Sequence, residues 1–158
     1  MNSVRKTWKV GLLAGAALAV GITFGTVGSD VASADGHLYK ERNAAMKMIG
    51  GNMKKLGEAV GAGDNVAAAT AAETIATISD NVPALFETKS IPAESRAKPE
   101  IWDNFDDFKA KAAAMGDAAR KVAADAKSGN LGSDPKAVVG SIGATCGACH
   151  KVYRGPKV

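Results

Sequence analysis

The chain has 158 residues, enough for one domain of ordinary size with one hydrophobic core. Hydrophobic residues make up 46% of it but aromatic residues only 5%, so the interior must be built from aliphatic side chains or around a group that is not protein. The formal net charge is only +4, and no stripe of basic residues with interleaved aromatics occurs, which argues against a nucleic-acid partner.

Residues 1–34 have the pattern of a secretory signal peptide. A basic start is followed by an uncharged run over 10–29 and by a small-x-small pattern over 32–34. We expect cleavage after Ala34, which leaves a mature domain of residues 35–158 in the periplasm. Cleavage removes three positive charges and one negative charge, so the formal net charge falls from +4 to +2. The alternative is an uncleaved anchor, because the uncharged run is just long enough to span a bilayer. Its glycines and the Ala-x-Ala site favour cleavage, so the mature protein is not expected to span a membrane.

Apolar residues spaced by three and four positions predict four helices. The first stripe covers 39–60 and ends at the glycine-containing segment 61–63. The second covers 68–82, with Asp64 as its N-cap, and Pro83 stops it. Both are amphipathic, as helices that pack on a common core must be.

The second half of the chain contains a long connection and two further helices. The connection 83–99 is longer than most loops in compact domains, and loops of this length are often functional. The third helix begins near Pro99 and ends at 128–130, and the fourth runs from the N-cap Asp134 to about Arg154. No alternating apolar and polar run of useful length appears, so the predicted fold is all-α, an antiparallel, left-handed four-helix bundle.

The fourth helix contains Cys146-x-x-Cys149-His150, the attachment sequence of a c-type haem. On a helix, thiols at positions i and i+3 lie on one face with Cβ atoms about 5–6 Å apart, so both can reach vinyl carbons at one porphyrin edge. The adjacent His150 then falls beneath the iron, where a neutral imidazole is the usual proximal ligand. The sequence therefore predicts one covalent haem c per chain, enclosed by the bundle and bound through Cys146 and Cys149, with His150 as axial ligand.

Three other interpretations fit this motif less well. A redox-active Cys-x-x-Cys normally lies at a helix N-terminus, whereas this one lies near a helix C-terminus. A zinc site lacks its fourth ligand, because the only other histidine is His37 near the mature start. A disulfide would close only a very small loop. Export, the position of the motif and the immediate histidine favour haem.

With these residues in view, the chain resembles the class II c-type cytochromes, which are cytochrome c′ and its low-spin relatives. The resemblance covers nearly all of residues 36–156. It rests on the motif 146–154 near the C-terminus, on Lys-Pro-Glu-Ile-Trp at 98–102, and on Arg42-x-x-x-Met46 in the first helix. It implies a four-helix bundle with the haem near one end, and often a homodimer.

The resemblance also raises the question of the sixth iron ligand. In cytochrome c′ an apolar side chain of the first helix screens an empty sixth position, and in the low-spin relatives a methionine there binds iron. The matching residue is Met46. Bundle geometry places Met46 about 9 Å along the axis from the level of His150, but Met53 and Met115 about 20 Å away, which is too far. Met48 falls off the inward stripe, and the alternative for Met46 is that it only packs over the iron.

Two arginines are predicted haem contacts. Arg42 has an inward register, and we expect its guanidinium to pair with a haem propionate; the alternative is that it snorkels at a solvated helix start. Arg154 lies four residues after His150 and either tunes the imidazole or complements the helix C-terminus. Trp102 and Tyr153 are predicted to pack at the end of the bundle near the haem edge, and Tyr153 is also a candidate for a polar contact. Asp103, Asp106 and Asp107 are predicted to form a solvated first turn of the third helix.

These residues predict an electron carrier. If both Met46 and His150 bind iron, the site is closed to other ligands, and it passes single electrons to redox partner proteins. The alternative is a five-coordinate cytochrome c′ that binds nitric oxide or carbon monoxide, with Met46 only packing over the iron. No paired carboxylates, nucleophile–base set or phosphate-binding loop can be recognised, so an enzyme is not expected.

Overall fold

The computed structural model describes residues 28–157, with side chains from residue 35 onward. It contains four long helices and one short one. Their bounds are α1, Gly28–Ala62; α2, Asn65–Asn81; α3, Glu100–Asp103; α4, Phe105–Lys127; and α5, Pro135–Tyr153. A 3₁₀ turn at Pro83–Phe86 follows α2. Most of the predicted signal peptide lies outside the described residues.

The four long helices form a ring. α1 packs against α2 and α5, and α4 packs against the same two helices. The chain is therefore a four-helix bundle, and the predicted fold class is confirmed. Over residues 28–157, none of the helices combines the length and the hydrophobicity that crossing a membrane requires.

Local capping explains three of the helix ends. Asp64 and Asp134, both predicted as N-caps, accept hydrogen bonds from the backbone N–H groups of Ala67 and Lys136 at 2.9 Å. Gly63, which closes the turn after α1, has a φ of +70°, a conformation that side chains with a Cβ rarely adopt. These ends agree with the predicted boundaries to within a few residues.

Two helix starts differ from the prediction. The third predicted helix is interrupted at Asn104, which leaves the helical region with φ −131° and ψ 48°, so α3 forms only one turn before α4 begins at Phe105. Asn104 still connects the two pieces, because its carbonyl accepts from Phe108 N–H at 3.0 Å. The first helix, whose predicted apolar stripe begins at residue 39, already includes Gly28.

The core is packed tightly in one half of the bundle. α2 and α4 meet through alanines, and the wholly buried Ala72 and Ala119 lie there. Leu56 and Ile142 extend this core across α1 and α5. The other half of the bundle opens into a cavity, and residues 87–99, which we call the strap, lie beside it.

Candidate functional site

A cavity of about 600 Å³ lies between α1, α4, α5 and the strap. This volume is within the range of sites that hold small molecules and cofactors. Most of its wall is apolar. All residues that the sequence predicted for the site line it, namely Arg42, Met46, Cys146, Cys149, His150 and Arg154.

The two cysteines lie on one face of α5, half-buried and not joined to each other. Burial raises the pKa of both thiols. A redox-active Cys-x-x-Cys requires the opposite, a thiol with a lowered pKa. No cluster of three potential metal-ligating side chains occurs within the part of the chain that the structure describes. The surroundings of Cys146 and Cys149 therefore do not suit dithiol redox chemistry or zinc.

His150 follows the second cysteine, and its imidazole is solvent-accessible at the cavity. Burial lowers the pKa of His150, and the positive charges of Arg154 and Arg96 lower it further. The imidazole is therefore neutral at physiological pH, the form that can donate a lone pair to a metal.

The end of α5 is fixed to the strap by reciprocal hydrogen bonds. The backbone N–H of Lys98 donates to the carbonyl of Tyr153 at 3.1 Å, and that of Gly155 donates to the carbonyl of Arg96 at 2.7 Å. The Arg96 guanidinium also donates to the Gly155 carbonyl, at 2.6 Å from Nη2. These bonds hold the last turn of α5, which carries His150. The only sequence signal for Arg96 was its place in an unusually long connection.

Three methionines line the cavity, although the sequence analysis placed two of them, Met53 and Met115, too far from the level of His150 to bind the iron. Met46 is half-buried on α1, and Met53 follows about 10 Å further along that helix. Met115 was excluded as too far away, yet its Sδ lies 3.7 Å from Sγ of Cys146.

The side chain of Arg42 is buried, with only 4% of the residue exposed. It does not snorkel into solvent. Its guanidinium donates to three backbone carbonyls, those of Leu85 at 2.8 Å, Thr88 at 2.8 Å and Ser90 at 2.6 Å, and it lies 4.4 Å above the ring of Phe86. Arg42 thus ties the beginning of the strap to α1, a role that the sequence did not predict. Its contact with a haem propionate stays a prediction.

Tyr153 makes a polar contact as well as packing at the bundle end. It is buried against Phe108, and its hydroxyl lies 2.5 Å from Oδ2 of Asp107 and 3.3 Å from the carbonyl of Asn104. The sequence predicted that Asp107 is only solvated, whereas its carboxylate also contacts the hydroxyl of Tyr153. The Tyr153 hydrogen bond is the main cause that lowers the pKa of Asp107, and burial and Asp107 raise the pKa of Tyr153 to about 12.

Comparison with known proteins identifies the family to which the chain belongs. A model of the family described as Cytochrome C′ matches residues 37–154, which include every residue of the cavity wall discussed above. The chain belongs to the cytochrome c′ family.

Relatives within the family have two kinds of name. A cytochrome c-556 of Agrobacterium fabrum is 38% identical over 87% of this chain and 93% of its own length. A cytochrome c′ of Pararhodospirillum photometricum is also 38% identical, over 72% of this chain and 92% of its own. Among solved structures, ferric cytochrome c prime from Alcaligenes xylosoxidans matches with a TM-score of 0.66 and 29% identity, covering 78% of this chain and 97% of the other.

The cofactor of this family is covalent haem c, and the residues present fit it. The apolar cavity has the size for a cofactor, and the two free thiols face it one helical turn apart. A neutral imidazole stands beside the second thiol. An apolar cavity with two thiols and a neutral imidazole on one helix suits a flat cofactor that is bound covalently and whose metal is ligated by the protein.

The Tyr153–Asp107 contact predicts a pH-dependent loss of stability. Because the pKa of Tyr153 rises from about 10 in the unfolded chain to about 12 in the fold, its contribution is complete below pH 10 and is lost between about pH 10 and 12. Tyr153→Phe is expected to lower the free energy of unfolding at pH 7 by about 1 kcal/mol. It should also flatten the alkaline decline in urea unfolding followed by circular dichroism.

Tyr39 provides the control for this experiment. Its hydroxyl accepts only a weak hydrogen bond from Asn43, at 3.2 Å. Tyr39→Phe should leave the alkaline decline as in the parent protein. An alkaline decline that persists in Tyr153→Phe would show that another group titrates.

Proposed function

We propose that the chain is an exported electron-transfer haem protein. Cys146 and Cys149 hold the haem covalently, and His150 and Met46 are the two axial iron ligands. The observation that carries the proposal is that Met46 and His150 line one cavity from two helices, α1 and α5, that pack against each other. Arg42 and Arg154 line the same cavity and are proposed haem contacts.

The ligand pair accounts for the proposed chemistry. Haem c supplies a one-electron couple, and the thioether of Met46 with the imidazole of His150 would occupy both axial positions. A small molecule then finds no free position on the iron. The hydrogen bonds between the strap and the end of α5 hold the last turn, which carries His150. The imidazole of His150 would therefore move little when the haem gains or loses an electron.

Export and cleavage after Ala34 are part of the proposal. Among the residues whose side chains the structure describes, the cavity wall begins at Tyr39, which lies within the proposed mature chain. The mature protein then begins at Asp35 and works in the periplasm with redox partner proteins. The homodimer implied by the family stays a prediction, and no catalytic activity is proposed.

An absorption spectrum of the reduced protein tests the ligand set. We expect a sharp low-spin α-band that carbon monoxide does not change, because both axial positions are taken. A broad high-spin spectrum that shifts with the gas would instead support the five-coordinate alternative, and nitric oxide complexes of Alcaligenes xylosoxidans cytochrome c prime variants are known structures.

The attachment is tested by intact mass. Protein matured in a haem-loading host should have the mass of residues 35–158 plus one porphyrin. The double variant Cys146→Ala/Cys149→Ala should lack the covalent porphyrin. A colourless parent protein with free or disulfide-bonded sulfurs would contradict the whole proposal.

A further inference from the structure

The charged residues around the cavity are almost all basic. Six charged side chains line it, and five of them are positive. Glu94 is the exception. The predicted mature chain has a net charge of only +2, so the cavity lining, with five positive side chains and one negative, is more basic than the mature chain as a whole. We call Lys47, Arg96, Lys111 and Arg154 the basic rim.

Two members of the basic rim form neither an ion pair nor a side-chain hydrogen bond with another described residue. Lys111 lies 3.5 Å from a carboxylate oxygen of Asp107, and Arg96 is bound to backbone carbonyls. Lys47 and Arg154 are exposed, and neither forms an ion pair with any other described residue. Each of these two adjoins a proposed axial ligand, since Lys47 follows Met46 and Arg154 lies one turn beyond His150.

Many charges away from the cavity are compensated instead. On α1, α2 and α4 the ion pairs include Lys54–Glu58, Arg120–Asp80, Lys121–Asp125 and Lys127–Glu73. The basic rim also adjoins an exposed apolar side chain, because Val152, between His150 and Arg154, is 39% exposed. Accessible apolar surface beside unpaired arginine is typical of protein–protein interfaces.

We propose that the basic rim is the docking surface for a redox partner protein that presents an acidic patch. This proposal rests on the proposed electron-transfer function and names the kind of partner. Unpaired cations raise the local concentration of an anionic partner and orient it toward the cavity that would hold the haem. Electron-transfer encounters use small, weak interfaces, so a few unscreened charges carry much of the orientation.

Inorganic oxidants of opposite charge test the sign of the rim in the reduced, haem-loaded protein. One electron passes from the ferrous haem to hexacyanoferrate(III) or to hexaammineruthenium(III), and no bond forms or breaks. With the anionic oxidant the stopped-flow rate constant should fall about tenfold as the ionic strength rises from about 0.01 M to about 0.2 M. With the cationic oxidant it should rise. If haem propionates neutralise the rim, the anionic oxidant will show no salt dependence, which would overturn the proposal.

Matched variants separate the effect of the basic rim on the rate constant from the effect of the net charge of the protein. Lys47→Glu should slow the anionic oxidant several-fold at low salt, whereas Lys55→Glu, about 12 Å further along α1 and outside the cavity wall, should not. Arg154→Gln and Lys136→Gln make the same comparison on α5. Equal slowing in test and control variants would show that only net charge matters.

A polymer extends the test to a protein-sized anion. Poly-L-glutamate should inhibit the reaction of the parent protein with hexacyanoferrate(III) more than that of Lys47→Glu. Equal inhibition of both would contradict docking at the rim. The absorption spectra of Lys47→Glu and of the control variants Lys55→Glu and Lys136→Gln should match the parent spectrum. Failure of Met46 ligation is seen in that spectrum, so it cannot be confused with failure of the rim.

Discussion

Replacing Met46 with leucine is expected to convert the sharp low-spin spectrum of the reduced protein into a broad high-spin spectrum that shifts with carbon monoxide. Leucine keeps the volume and apolar character of methionine but has no sulfur to donate, so the iron loses one ligand while the wall of the cavity stays filled. The reduction potential should also fall, because a thioether ligand raises it. The measurement is the absorption spectrum of the reduced variant with and without the gas.

The chain offers three controls for this substitution. Met48 is 54% exposed and does not line the cavity, so Met48→Leu should leave the spectrum unchanged. Met53 and Met115 line the cavity, and Met115 contacts the sulfur of Cys146, so Met53→Leu and Met115→Leu test the other thioethers directly. If one of these two changes the spectrum and Met46→Leu does not, Met46 is not the ligand.

The features that the sequence predicted best depend on residues close together in the chain. Asp64 and Asp134 cap helices whose N–H groups lie two or three residues away. The spacing of the two cysteines and the histidine is likewise a property of one helix. Because each such interaction closes within a single turn, the residue pattern alone is enough to predict it.

The features that it missed join distant parts of the chain. The partners of Arg42 lie 43 to 48 residues away, and the Arg96 guanidinium reaches a carbonyl 59 residues away. Apolar periodicity gives the inward register of Arg42 but not the backbone that bends to meet it. The interruption at Asn104 was also missed, because Tyr153 on another helix contributes to its surroundings.

Together the two arginines explain how a long connection becomes part of the cavity wall. Arg42 holds the beginning of the strap to α1, and Arg96 holds its end to the segment that follows α5. Between these two attachments, the strap residues Glu94 and Ser95 line the cavity. The strap has no regular helix of its own, so its conformation depends on these side-chain contacts.

Arg42→Met is therefore expected to destabilise the protein by about 3–5 kcal/mol, because three carbonyls lose a charged donor and the stack on Phe86 is lost. Burial lowers the pKa of Arg42, but an arginine stays protonated, so the charged donor is present in the fold. Arg42→Lys should fall between parent and Arg42→Met, since one ammonium cannot reach three carbonyls in the fork geometry of a guanidinium. Urea unfolding measures the loss, and limited proteolysis should show faster cleavage in the strap.

Arg120→Met is the matched control, because Arg120 pairs with Asp80 and Asp117 on the exposed surface, where such pairs contribute about 1 kcal/mol or less. If Arg42→Met is no less stable than Arg120→Met, Arg42 does not hold the strap. A shift of the reduction potential with the strap still resistant to protease would then assign Arg42 to a haem propionate instead. Faster strap cleavage with an unchanged reduction potential would assign Arg42 to the strap alone.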